Sequence, residues 1–171
     1  EEAMIKYLGD VVEKRKIEPE LILVDSPKEI VIEIFKAIHK HRPDFLAFWN
    51  MEFDIEVILK MCEKYGLDPK EVFSDPAIPA KFKYFKWKPG AAQKVTASGK
   101  VKPYKVHERW HTLFTPASYY CIDAMCAYKH LRLANAELPS YKLDYVLNLE
   151  LNRGKLNFKE ADHITNGLLW H

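Results

Sequence analysis

The chain has 171 residues, of which 48% are hydrophobic and 29% charged, and its net charge is +2. That length suits one domain with a sizeable core, and that composition excludes a disordered polymer. No apolar run approaches the ~20 residues that span a bilayer, which excludes a membrane-crossing helix.

The chain opens on "EEAMIKYLGDVVEKRK" without an initiator Met or a leader peptide, and it stops on "GLLWH". Both ends read as internal to a longer protein. Met4, Ile5, Leu8, Val11 and Val12 recur at helical spacing over residues 2–15. "LILVDS" (21–26) reads as a short buried strand. Ser26 then caps a helix with Pro27 at its first position and Glu29 at its third, a capping box ahead of "IVIEIFKAIHKH". Pro43 ends that helix. "DFLAFW" (44–49) reads as a second buried strand, and a helix follows to about Tyr65. Helix and strand alternate throughout this third of the chain, which is the α/β pattern.

The middle changes character. From Ala80 to Trp110 there are nine Lys or Arg residues and a single acid, Glu108. Phe82, Tyr84, Phe85, Trp87 and Tyr104 are threaded between them. "KFKYFKWK" alternates as a strand does, "ASGK" (97–100) is a turn, and "VKPYKV" returns, so a basic β-hairpin is expected over 80–110. Its lysines either guard an exposed sheet edge or neutralise phosphates while rings stack on unpaired bases. Lys86, Trp87 and Lys88 are the residues placed for the second role. After the hairpin, "SYYCID" (118–123) reads as another buried strand leading into a helix from about Ala124 to Leu133. "SYKLDYVLNL" (140–149) reads as a helix capped by Ser140, and the last twenty residues look irregular.

Candidate chemistry centres on "FWNMEFDIEVILKM" (48–61). Asp54 and Glu56 form an Asp-x-Glu pair, which on a strand could hold metal ions. The run from Asn50 to Tyr65 is too long for a strand, however, and carries a helical stripe of Ile55, Ile58, Leu59 and Cys62. On a helix Glu56 lies roughly 200° around the axis from Asp54, too far to share an ion. Asp54 is left at a strand-to-helix crossing, where open α/β sheets place their sites. On spacing alone it could equally cap the helix. His107, His111, Cys121 and Cys126 are zinc-type ligands, but both cysteines lie in apolar settings and read as buried structural residues. Asp123 reads as a helix cap. Three cysteines, an odd number, point to a reducing cytoplasm rather than a disulfide framework. No glycine-rich nucleotide loop is present.

"PDFLAFWNMEFD" resembles the second exonuclease motif of family B DNA polymerases, an Asn followed at short range by Phe/Tyr-Asp. "CIDAMCAYKHLRLANAELPSYKLDYVLNLELNRGKLNF" is similar to the segment that precedes the third motif in the same proofreading domain. The resemblance covers about residues 43–66 and 119–160. It implies a ribonuclease H-like fold, a mixed sheet flanked by helices with an inserted hairpin, as a single truncated exonuclease-like domain over residues 1–171. It further implies 3′–5′ excision of mismatched nucleotides with Mg²⁺ or Mn²⁺, acting on the single-stranded 3′ end of a DNA primer, next to the rest of a polymerase chain. The host cytoplasm is its place of work if the source is a phage or virus.

By the same resemblance, Asp54 is a metal carboxylate, and Asn50 and Phe53 contact the terminal nucleotides. Tyr141 and Leu143 fall in the element that grips single-stranded primer, although Lys142 stands where the family has Ser or Thr. Lys155 approaches the scissile phosphate. Residues 1–49 hold no Asp-x-Glu, and no Tyr-x-x-x-Asp follows "GKLNF", so one carboxylate of the set is expected here and the segment alone should be inactive. Two other readings stay open: a non-catalytic single-strand-binding module, and a stand-alone nuclease of the same fold.

Overall fold

A computed structural model describes residues 14–16, 18 and 20–154 of the chain. The elements in chain order are α1 (Pro27–His41), β1 (Phe45–Phe48), α2 (Met51–Tyr65), α3 (Pro69–Phe73), β2 (Lys86–Lys88), β3 (Gln93–Val95), β4 (Val101–Pro103), β5 (Thr112–Phe114), β6 (Tyr120–Asp123), α4 (Ala124–Leu131) and α5 (Leu143–Leu151). The architecture is mixed α/β. Among the described residues the strands pair as β1 with β6, β2 with β5 and β3 with β4. The chain divides into two compact units, one of residues up to 46, 53–87 and 113–120, the other of residues 47–52, 88–112 and from 121 on.

In the first unit α1 starts as its sequence dictates. Ser26 Oγ accepts the Glu29 N–H at 3.3 Å, and Glu29 reaches back to the N–H of Asp25 at 3.0 Å. The first bond satisfies a donor that a helix start leaves orphaned; the second reaches one residue ahead of the cap, so the expected capping box closes on the Ser26 side alone. At the other end Arg42 turns left-handed (φ 48) and returns its N–H to the Ile38 carbonyl. α1 sends Val31 and Phe35 inward. Phe35 meets the fully buried Phe73 at 4.5 Å between ring centroids, and Phe73 meets Phe85 at 4.7 Å. The hydroxyl of Tyr119, itself buried, donates to the Phe73 carbonyl at 2.7 Å. An aromatic cluster pinned by one buried hydrogen bond is therefore the centre of this unit.

In the second unit the hairpin β3–β4 is antiparallel, with Gln93 opposite Pro103, Lys94 opposite Lys102 and Val95 opposite Val101. Its loop is closed by the Gly99 N–H on the Thr96 carbonyl at 2.8 Å, with Gly99 at φ 77, which a side chain would strain. Trp49 packs on Tyr128, and Tyr141 lies against His107 at 4.0 Å.

Several expectations are corrected. Residues 21–26 form no strand, and Leu23 is 86% exposed. A strand needs a partner's backbone, and no described strand pairs with this segment. β1 and β6 do form, but they are half-covered rather than buried, with Phe45 61% and Tyr120 76% exposed, because a two-stranded sheet leaves outward-facing rings uncovered. The basic hairpin exists, yet its first strand is Gln93–Val95 and not "KFKYFKWK". Residues 80–82 are taken by a 3₁₀ turn behind Pro79, and Lys86–Lys88 pairs with Thr112–Phe114 instead. Nearly all of the helix expected at 2–15, and the last residues of the chain, lie outside the described residues. No described helix is long and apolar enough to cross a membrane.

Replacing Tyr119 by Phe keeps the ring and leaves the Phe73 carbonyl buried without its donor. Denaturant unfolding should show a loss of about 1–3 kcal/mol. An unchanged midpoint would remove this bond from the core.

Candidate functional site

The site is set by β1 and β6. Tyr120 donates its N–H to the Asp44 carbonyl at 2.9 Å, and Met125 donates to the Trp49 carbonyl at 3.2 Å. Between these bonds both partners advance by five residues, so the two strands run parallel. Their carboxyl ends lie together, and a helix starts at each, α2 at Met51 and α4 at Ala124. Crevices at such strand ends are where α/β sheets bind ligands.

α2 begins at Met51. Asn50 immediately precedes it and is half-buried. Phe53 is 59% exposed, and Asp54 is half-buried as the fourth helical residue. Asp54 therefore lies beyond the cap position, so the capping alternative does not apply to it. Asp123 does cap its helix: it is 3% exposed, accepts the Cys126 N–H at 3.2 Å, and burial pushes its carboxyl up.

Sequence reasoning missed Glu52. Its carboxylate takes a two-pronged bond from Arg109, at 2.7 and 3.0 Å, and lies 3.8 Å from Nε2 of the buried His111. His111 Nδ1 accepts the Gly90 N–H at 3.2 Å, which leaves Nε2 to carry the proton of the neutral ring. Glu52 and Arg109 stand 57 positions apart, and no local spacing links them.

Four acids, Glu52, Glu71, Glu108 and Glu137, pair with four of the nine cations of the basic segment. Glu108 accepts the Lys105 N–H at 3.1 Å and lies 3.2 Å from Lys94 Nζ and 3.5 Å from Lys129 Nζ. Burial raises its carboxyl, but the Lys105 N–H and the two ammonium groups prevail and hold it at about 2. Lys83 pairs with Glu71, Lys105 with Glu137, and Arg109 with Glu52. Lys86, Lys88, Lys100 and Lys102 are exposed and form no ion pair among the described residues. Trp87, between Lys86 and Lys88 on β2, is half-buried.

Tyr141 is 6% exposed. Its ring lies against His107 and its carbonyl accepts the Trp49 indole N–H at 3.0 Å, which leaves little ring surface for a base. α5 starts at Leu143, half-buried, with Lys142 exposed at the cap position, so Ser140 is not the helix cap; its hydroxyl accepts the Lys142 N–H instead. A shallow groove of about 490 Å³ runs along this helix, lined by Ser140, Lys142, Asp144, Tyr145, Asn148 and Leu149. A side chain at Gly154 would meet Asp144 Oδ1 at 3.0 Å and Asn148 Nδ2 at 3.2 Å. Lys155 lies outside the described residues.

The zinc-type residues are engaged elsewhere. His107 Nε2 lies 3.3 Å from Glu137 Oε1, and the Cys126 thiol donates to the Arg109 carbonyl at 3.5 Å. Burial pushes the Cys121 and Cys126 thiols up to about 12. Among the described residues no three His, Cys, Asp or Glu side chains gather as metal ligands would. Comparison of the chain with protein-family models, with curated proteins and with solved structures returned no match.

Glu108 carries a pH signature. Its ordinary value of 4.5 falls to about 2 in the fold, so its contribution is complete above pH 4.5 and is lost as pH falls through 2. Glu108→Gln should lower stability at neutral pH, and the gap to the unaltered protein should close between those two values. A gap of constant size across that window would contradict the clamp.

Proposed function

We propose that the chain is a segment of the 3′–5′ proofreading exonuclease domain of a family B DNA polymerase, with a ribonuclease H-like fold, working on the single-stranded 3′ end of a primer in the cytoplasm of a phage or virus host. The observation that carries this reading is the place of the Asn50–Asp54 element, directly after a strand of a parallel pair and at its carboxyl end.

In this reading Asp54 offers hard carboxylate oxygens suited to Mg²⁺ or Mn²⁺. Two ions, when bound, activate a water and stabilise the leaving 3′-oxygen, which takes about four carboxylates. By the resemblance, Asp54 is one of that set. Asn50 and the exposed ring of Phe53 hold the frayed terminal nucleotides, and the resemblance gives Lys155 the role of stabilising charge that develops on the phosphate. The exposed Lys86, Lys88, Lys100 and Lys102 draw the sugar-phosphate backbone toward the domain.

The test is Asp54→Ala in the full-length protein. Removal of a mismatched 3′ nucleotide should fall by at least about 10²-fold, while nucleotide addition continues unchanged. Unchanged excision overturns the reading. If excision is absent from the unaltered protein too, and its affinity for single strands falls steeply with salt, a non-catalytic single-strand-binding module takes its place. Excision without nucleotide addition points to a stand-alone nuclease.

A further inference from the structure

We infer that Glu52 and Arg109 are positioning residues that fix the backbone presenting Asn50 and the first turn of α2; the inference rests on the exonuclease reading. Asn50 sits between residues held from several directions. The Trp49 carbonyl accepts from Met125, and its indole N–H donates to the Tyr141 carbonyl. Met51 is fully buried. Glu52 closes the set through the fork of Arg109, at 2.7 and 3.0 Å.

The base of that fork is itself rigid. The Arg109 N–H returns to the Val106 carbonyl at 3.1 Å, and its own carbonyl accepts the Cys126 thiol. A Cβ at Gly90 would come within 2.8 Å of the Arg109 carbonyl carbon, so the two backbones are in close contact. The neighbouring Glu108 is clamped by Lys94 and Lys129. The two side chains of the pair are only 22% and 23% exposed, where a charged two-pronged bond is stronger than at an open surface.

The pair does two things. It holds the start of α2 in one orientation, and so the Asn50 amide and, two residues past Glu52, Asp54. It also cancels a carboxylate that would otherwise repel an incoming phosphate. Lysine keeps the charge but cannot reproduce a planar fork, and glutamine keeps the shape but not the charge.

The experiment uses the full-length protein with Arg109→Lys, Glu52→Gln, both together, and Asp54→Ala alongside. Single-turnover excision from a single-stranded 3′ end gives kcat and KM separately, and thermal unfolding is followed on each variant. Each single variant should lose about 10²-fold in kcat with KM, thermal midpoint and nucleotide addition unchanged, and the double variant should be no worse than either. Unchanged kcat in both single variants while Asp54→Ala abolishes excision overturns the positioning role and leaves the exonuclease reading standing. A kcat that falls only with the thermal midpoint makes the pair structural and also overturns it. A harmless Asp54→Ala takes both down.

Discussion

Parallel pairing of β1 and β6 is the constraint on which the candidate site depends. Two parallel strands cannot be joined by a tight turn, so the chain between Trp49 and Tyr119 must leave one end of the pair and return to the other. That detour contains α2, α3 and the whole basic segment. Because the strands point the same way, the chain leaves both at one end, and both following helices start there. One such start holds Asn50 and Asp54, the other the buried cap Asp123. The two backbone bonds at Asp44 and Trp49 are what set this arrangement.

Charge in the basic segment is arranged rather than merely accumulated. Nine cations against one acid looks like a surface for polyanions. In the fold, Glu52, Glu71, Glu108 and Glu137 absorb much of that charge, and three of the four come from outside the segment. These pairs join the segment to the parts it packs on, Arg109 to the start of α2 and Lys105 to the loop before α5. Five exposed lysines stand outside these pairs among the described residues: Lys81 in the 3₁₀ turn, Lys86 and Lys88 on β2, Lys100 just ahead of β4 and Lys102 within it. A whole-chain charge of +2 conceals both facts.

What the sequence makes legible is what short-range chemistry decides. The Ser26 cap, the Asp123 cap and the Gly99 turn each need only a few neighbouring residues, and each forms in the fold. The strand in "DFLAFW" and the helix after it were legible for the same reason. Strand partnership was not. "KFKYFKWK" alternates as a strand should, but Pro79 starts a 3₁₀ turn and the remaining Lys86–Lys88 finds β5 rather than the other arm of a hairpin. "LILVDS" has strand composition and no partner among the described strands. Within the site, Phe53 and Asp54 lie in the first turn of α2, the one exposed and the other half-buried, while Tyr141, read as a primer contact, is packed against His107. Glu52 escaped notice because its partner is distant in the chain, and only the fold brings the two together.

The central claim, that the Asn50–Asp54 element follows the carboxyl end of a parallel strand pair, is tested most directly by amide hydrogen exchange at Tyr120 and Met125. The pairing predicts that both amides exchange only through cooperative opening, far more slowly than the exposed amides of the Thr96–Lys100 loop tip. Exchange of both at the rate of an open loop would mean that β1 and β6 are not joined at either end, and the site would lose its frame.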